Sequence, residues 1–270
     1  MFLFTKTQHE RVATLPDGTN VRCPNPRELH FLYEEIYRES IYLRNGISLN
    51  EGDCVVDVGA HVGLFSLFLM QHYSDLDLYA IEPVPAAFSM LLSNAEQHFP
   101  LARCIPAALA ERDRRIQLAW YPQLSSCSTR YPDLNDLRSN LRTHCALSDY
   151  RVIGPLARQV PRMFDLCTRP LLEQMQIEVH ATTLSAIMTS EGIGRIDLLK
   201  IDVEGSDLQV LLGIQEADWQ RIRQIVVKTT YTDLDAVVHA LRTHGFRLMT
   251  DVSLGLRGTD YLYVYARARD

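Results

Sequence analysis

Three short stretches carry side chains able to do chemistry together. In "DVGAHVG", Asp57, Gly59 and Gly63 form D-x-G-x-x-x-G directly after an apolar run. Glycines at such a place let the backbone turn tightly and approach a ligand with no Cβ in the way. The G-x-G-x-x-G of a dinucleotide site is missing, because His61 stands at its central position, and no G-K-[ST] of a P-loop follows. An acid ahead of the turn is a poor neighbour for a pyrophosphate and suits a ligand carrying an ammonium. Glu82, in "LYAIEPVP", ends the next apolar run, where a carboxylate accepts hydrogen bonds from both hydroxyls of a ribose. In "IDLLKIDVEG", Lys200, Asp202 and Glu204 alternate at the end of a third apolar run. With period two they share a face or emerge together at the strand's C-terminal edge, where ligands of open α/β sheets sit. Either Lys200 holds the two carboxylates ionised, or Asp202 and Glu204 help to ligate a divalent cation. A plain strand-to-helix turn, an exposed strand-end acid and a solvated strand end are the structural alternatives. Taken together, the three stretches favour a cofactor that bears a nucleoside.

The elements that must position these residues are legible in the hydrophobic pattern. "LPDGTNV" is a turn between two short extended pieces, with Asp17 and Gly18 at the bend. "NPRELHFLYEEIYRESIYLRNG" reads as one amphipathic helix, capped by Asn25, with Pro26 at its first position and Gly46 at its end. Leu29, Leu32, Tyr33, Ile36 and Tyr37 share its apolar face. From residue 54 apolar strands alternate with helices: "CVVDVG", "LDLYAIEP", "ARCIPAALA", "RIDLLKIDVEG" and "IRQIVVKTT" are strands, and "GLFSLFLMQHY", "PAAFSMLLSNAEQH", "SDLQVLLGI" and "DLDAVVHALRTHG" are helices. Near-continuous apolar strands joined by crossover helices predict an α/β fold, a doubly wound and mostly parallel sheet covered on both faces. "FRLMTDV" and "DYLYVYA" are expected to form a hairpin at its edge. Residues 1–50 are read as a hairpin and helical cap, and residues 51–270 as the main domain. An insertion at about 121–178 interrupts the rhythm. It carries seven arginines (Arg130, Arg138, Arg142, Arg151, Arg158, Arg162, Arg169) between residues 130 and 169, against four aspartates (Asp133, Asp136, Asp149, Asp165). It reads as a solvated insertion or as a lid facing an anionic substrate.

Composition narrows the classes of function. The chain has 270 residues, 47% hydrophobic and 22% charged, with a formal net charge of −6. That balance argues against a general nucleic-acid-binding surface. No apolar run approaches the ~20 residues that span a bilayer, and "MFLFTKTQHE" lacks the layout of a signal peptide. The six cysteines (Cys23, Cys54, Cys104, Cys127, Cys145, Cys167) show no CxxC spacing, so they read as free thiols of a cytoplasmic protein rather than zinc ligands.

"DVGAHVG", "EPVP" and "KIDVEG", in this order and spacing, resemble the "DVGANIG", "EPxP" and "KIDVEG" of FkbM-type S-adenosylmethionine-dependent methyltransferases. The resemblance spans about residues 27 to 267. "FLYEEIYRESIYLRNGISLNEGD" and "GTDYLYVYARA" look like the N-terminal helix and terminal strand of the subgroup that works with polyketide and peptide synthetases. The resemblance implies a class I methyltransferase fold with a seven-stranded sheet. It also implies S-adenosylmethionine as cofactor and methyl transfer to oxygen of a polyketide, peptide or carrier-bound intermediate. It places Asp57, Gly59, His61 and Gly63 at the methionine end of the cofactor, Glu82 at its ribose, and Asp202 beside it. Asp202, Glu204, Lys200 and Lys228 become the candidate catalytic residues. His61 stands where asparagine is usual. The fifth strand often ends "VVEVHD" in that subgroup and ends "VVKTTY" here, with Lys228 for glutamate, Thr230 for histidine and Tyr231 for aspartate. If that histidine is the base, three alternatives stay open: Asp202, Glu204, Lys228 or His180 does the work, the acceptor is already nucleophilic, or the domain only binds. A nicotinamide-dependent oxidoreductase is the remaining rival. Ser126 and Ser128 fall near a Ser/Thr-rich loop of relatives. His239 and His244 read as surface or core histidines.

Overall fold

The computed structural model describes residues 10–147 and 161–269. The strands, in chain order, are β1 (Arg11–Thr14), β2 (Asn20–Cys23), β3 (Cys54–Val58), β4 (Asp77–Ile81), β5 (Arg103–Ile105), β6 (Ala108–Leu109), β7 (Arg114–Trp120), β8 (Met175–Thr182), β9 (Leu198–Ile201), β10 (Gln224–Thr230), β11 (Phe246–Asp251) and β12 (Tyr261–Ala268). The helices used below are α1 (Pro26–Tyr33), α2 (Leu64–His72), α3 (Pro85–His98), α4 (Leu134–Leu147), α5 (Pro161–Thr168), α6 (Leu184–Glu191), α7 (Asp207–Leu212) and α8 (Leu234–Thr243).

The main sheet has seven strands in the order β11-β12-β10-β9-β3-β4-β5. β10, β9, β3, β4 and β5 run parallel, and β12 is antiparallel to both β10 and β11. Every residue of β3 and β9 is buried, as expected of strands covered on both faces. Alternation then divides their side chains. Val55, Leu78 and Leu198 join one core with α2, α3 and the N-terminal segment, whereas Val56, Tyr79 and Leu199 join the other with α6, α7 and α8. The chain leaves β3 toward β4 and β5 and returns on the other side through β9 and β10. The strand order therefore switches between β3 and β9, the place where doubly wound folds open a ligand crevice.

Three expectations need correction. The helix from Pro26 is capped by the Asn25 side chain and starts on proline as expected, but it does not reach Gly46. It ends at Tyr33, passes through one wide turn over Glu34–Arg38, and stops where Ser40 adopts φ 49°. This left-handed step sends Ile41 and Tyr42 inward, and the Tyr265 hydroxyl donates to the Ile41 carbonyl at 2.7 Å. "ARCIPAALA" is two strands, because Pro106 has no N–H to continue a ladder. β5 closes the main sheet, and β6 enters a separate three-stranded sheet ordered β6-β8-β7. The hydrophobic pattern did not predict that second sheet. β8 also lies partly inside the expected insertion, whose other described residues form loops, α4, α5 and short 3-10 turns at Ser125–Cys127 and Arg169–Leu172. Arg151, Arg158 and Asp149 fall outside the described residues. Among the described residues, no helix is long and apolar enough to cross a membrane.

Candidate active site

The register of the switch point sets the first contact. Asp57 on β3 lies directly beside Lys200 on β9, and their side chains form an ion pair at 2.9 Å with exposures of 0% and 4%. Ser66 Oγ donates to the other Asp57 oxygen at 3.0 Å. Lys200 Nζ also donates to the Gly59 carbonyl at 2.8 Å. The pair thus ties the β3–α2 turn down onto β9. Gly59 and Gly63 both take positive φ, 77° and 86°, and so does His61 between them, at 53°. Asparagine and histidine are among the few side chains that enter this region readily, which explains why His61 can stand where relatives carry asparagine. A Cβ on Gly59 would lie 1.9 Å from the Asp202 carbonyl oxygen, and one on Gly63 would strike Leu91 and Phe99. Gly59 lets the turn approach β9, and Gly63 lets α2 approach α3.

A cavity of about 720 Å³ opens at the C-terminal ends of β3, β4, β9 and β10, within the range of small-molecule sites. Gly59, Ala60 and His61 form one wall. Beside them Glu82 accepts from the His61 amide at 2.9 Å and the Val84 amide at 2.8 Å. Each carboxylate oxygen keeps a further lone pair for another donor. His61 Nε2 contacts Ser125 Oγ at 2.9 Å, while Nδ1 is buried without a protein partner. Burial, and then the Lys200 charge, push His61 down to about 4, so its ring is neutral near pH 7.

Another part of the lining is charged. Lys228 Nζ bridges Asp202, at 3.2 Å, and Glu204, in a closer contact. The Tyr42 hydroxyl donates to Asp202 Oδ2 at 2.7 Å. Burial works to raise Asp202, but Lys228, Lys200 and the Tyr42 bond outweigh it and hold the carboxyl below its usual range. Burial raises Glu204. Lys228, despite its own burial, is pushed well above the ordinary lysine value by the two carboxylates and stays a cation. The sequence-based pairing is therefore corrected: Lys200 serves Asp57, and Lys228 holds Asp202 and Glu204. Lys228 fills the gap between the two carboxylates that a divalent cation would occupy, and among the described residues no group of three His, Cys, Asp or Glu side chains is arranged to hold a metal.

The N-terminal segment supplies a third wall that the motifs do not announce. Glu28 of α1 is 3% exposed and lines the cavity. Its Oε1 accepts from both the amide and the hydroxyl of Ser126, each at 2.7 Å, and its Oε2 has no protein partner. Glu35 accepts from Ser253 Oγ at 2.7 Å. Burial pushes Glu28, Glu35, Glu82 and Asp207 each up to about 7. This sets a pH dependence. The unfolded groups titrate at about 4, so between there and pH 7 the folded protein binds protons that the unfolded chain has released. Stability from these groups is complete below the unfolded values and is lost as pH rises through about 7. The cofactor-free protein should melt several degrees higher at about pH 5.5 than at about pH 8 in scanning calorimetry, and a melting temperature that rises with pH would contradict this.

Other expected residues sit elsewhere. Asp57 and Gly63 lie behind the turn and do not line the cavity. Thr230 lines it and contacts Asp233, and Tyr231 is exposed. His180 faces solvent beside Asp113 at 3.0 Å, and His244 stacks on Trp219. Neither lines the cavity. His239 is exposed. Ser126 and Ser128 both line it. The described part of the insertion lines the cavity with Tyr131, Leu137, Asn140 and Leu141. Arg130, Arg138, Arg142 and Arg169 do not line the cavity, whereas Asp133 and Asp136 of the same segment do, joined at the rim by Asp233 and Asp260. Glu28 had a readable signal, an acid in the first turn of an otherwise amphipathic helix, next to a capped proline start. β7 and β8 had one too: "RRIQLAW" and "MQIEVHAT" alternate apolar and polar residues.

The doubly wound seven-stranded sheet, closed by an antiparallel terminal hairpin, carries a left-handed glycine turn at its switch point, the place where such folds bind a nucleotide-bearing ligand. A family profile for the methyltransferase FkbM domain matches residues 57–248. The chain is 35% identical over 257 residues to the 31-O-demethyl-FK506 methyltransferase FkbM of Streptomyces tacrolimicus, covering 94% of this chain and 95% of that one. It is 31% identical over 264 residues to the AMB antimetabolite synthetase AmbE of Pseudomonas aeruginosa, covering 93% of this chain and 12% of AmbE. It is 27% identical over 212 residues to the methyltransferase sdnD of Sordaria araneosa, covering 75% of each. The chain belongs to the FkbM methyltransferase family.

Proposed function

We propose that the protein transfers a methyl group from S-adenosylmethionine to a hydroxyl oxygen of a small natural-product intermediate. The observation that carries this reading is the make-up of the cavity lining. One cavity is lined by the Gly59–His61 turn and Glu82 and also by Glu28, Ser126, Glu204 and Lys228. The names of the relatives, an FK506 methyltransferase and an antimetabolite synthetase, support the substrate class.

The residues present fit the cofactor. Glu82 offers acceptor lone pairs to a ribose, and the Gly59–His61 backbone leaves room for a methionine group. The orphan His61 Nδ1 and the acid-rich lining suit a cation. The bound cofactor supplies an electrophilic methyl group on a sulfonium. The chain's own residues orient and desolvate it, and in a displacement of this kind positioning supplies much of the rate. Asp57 and Lys200 act from behind, fixing the turn, and Asp202 is held against Tyr42 and Lys228. The acidic rim favours a neutral or amine-bearing acceptor over an acidic one.

Incubating the protein with S-adenosylmethionine and a panel of hydroxylated acceptors tests the reading, with 31-O-demethyl-FK506 in one arm and hydroxyacyl groups on phosphopantetheine in another. A mass gain of one methyl on oxygen is expected, and methylation at nitrogen or carboxylate alone would sink it. Glu82→Gln should weaken cofactor binding by about 10- to 100-fold, since a charge-assisted bond is replaced by a neutral one. Calorimetric titration showing affinity within about twofold of wild type would remove Glu82 from the ribose.

A further inference from the structure

Resting on the O-methylation reading, we propose that Glu28 of the N-terminal helix is the base that takes the proton from the acceptor hydroxyl, through its unpartnered Oε2. The inference starts from a gap. β10 ends on Thr230 and offers no imidazole, and the buried acids Asp202, Glu204, Glu82 and Glu35 already receive donors.

Asp202 is held by Lys228 and Tyr42, and Glu204 by Lys228. Lys228 holds Asp202 ionised, which makes it a weak base, and the Lys228 ammonium occupies the Glu204 oxygen nearest it. Lys228 is a cation with no lone pair to accept a proton. Both Glu82 oxygens already receive backbone amides, and His180 faces solvent away from the cavity. Glu28 differs from all of these. One oxygen is anchored by two hydrogen bonds from Ser126, which fixes the carboxyl plane, and the other is buried with no partner. A buried acceptor left empty has a cost unless a ligand group satisfies it. Glu28, Glu204 and Lys228 line the same cavity, so the free carboxyl and the fixed ammonium share one chamber. Burial pushes Glu28 up to about 7, where a base is half-ionised at working pH and well matched to its task.

The step balances within the groups named. The acceptor O–H bond breaks and its proton goes to Glu28 Oε2. The oxygen pair forms the bond to the methyl carbon, and the carbon–sulfur pair returns to sulfur, leaving a neutral thioether. Lys228 stabilises negative charge building on the oxygen before transfer, and Glu28 later releases its proton to water.

Glu28→Gln keeps an acceptor for the Ser126 donors and removes the base. With an acceptor methylated by wild type, it should lower kcat by about 10²- to 10⁴-fold and leave the KM for S-adenosylmethionine within about threefold. The acidic limb near pH 7 should vanish from the rate profile. A variant that retains a third of wild-type kcat overturns the assignment while leaving O-methylation intact, whereas wild-type protein that methylates no hydroxyl in the panel overturns O-methylation itself. A second measurement needs no acceptor: the ¹³C carboxyl signal of Glu28, assigned by its loss in Glu28→Gln, followed in protein loaded with S-adenosylhomocysteine. Titration between about pH 6 and 8 is expected, and titration near about pH 4.5, the ordinary range of a glutamate, overturns the proposal.

Discussion

Gly59→Ala should cost about 2–5 kcal/mol of stability and abolish measurable cofactor binding. Two effects add. The residue sits at φ 77°, a region where a Cβ costs roughly 1–2 kcal/mol. The new methyl would also meet the Asp202 carbonyl oxygen at 1.9 Å. That atom belongs to backbone held in the sheet, since the Asp202 amide donates to the Val58 carbonyl at 3.1 Å, so the turn must lift away from β9, an overpacking cost of about 1–3 kcal/mol more. Gly18 separates the two effects. It has φ 90° with nothing within 4 Å of a built Cβ, so Gly18→Ala carries the conformational cost alone. Urea unfolding of both variants should show the larger loss at Gly59 by at least about 1 kcal/mol. Equal losses would mean that the contact with Asp202 yields easily, and the account of the turn would be wrong.

Gly59 also marks the boundary of what is legible in sequence alone. The glycine turn, Glu82 and the alternation of apolar strands with crossover helices each depend on neighbours close in sequence, and the pattern assigns each to the correct element. The partners of the charges are not readable in this way. Lys200 and Asp202 are separated by one residue, so alternation suggests that they act together, yet the register of β3 against β9 gives Lys200 to Asp57, and Lys228 on β10 takes Asp202. Such pairings are fixed by long-range register, which a linear pattern does not encode. The N-terminal helix is overextended for a related reason. Its apolar residues continue at helical spacing past Tyr33, but Ile41 and Tyr42 are drawn into the core under β12, and tertiary burial overrides local periodicity. β7 and β8 do carry a local signal, but the prolines and arginines between them suggest an irregular insertion and mask it. Glu28 becomes a site residue only where the cap folds over the sheet and meets Ser126, 98 positions away.

Breaking the Asp57–Lys200 pair should be as damaging as the glycine change, and its repair should be selective. Lys200→Met leaves a carboxylate with 0% exposure and no counter-charge, and Asp57→Asn leaves a buried ammonium; either single change should cost about 3–5 kcal/mol. The double variant removes both charges, and the amide introduced by Asp57→Asn keeps an acceptor for Ser66. Stability should then return to within about 1–2 kcal/mol of wild type, the remainder reflecting the lost bond from Lys200 to the Gly59 carbonyl. The coupling between the two sites should therefore be at least about 4 kcal/mol in magnitude. Cofactor affinity should not return with it. The ammonium both neutralises Asp57 and tethers the turn that forms the cofactor wall, and the thioether introduced by Lys200→Met can do neither. Unfolding and binding measured on wild type, both singles and the double separate the two roles. If affinity recovered in step with stability, the pair would be a plain core element and the tether to Gly59 would contribute nothing to the site. If the double variant were no more stable than the singles, the cost would lie in packing around Lys200, and the ion pair would not be what holds β3 and β9 in register at the crevice.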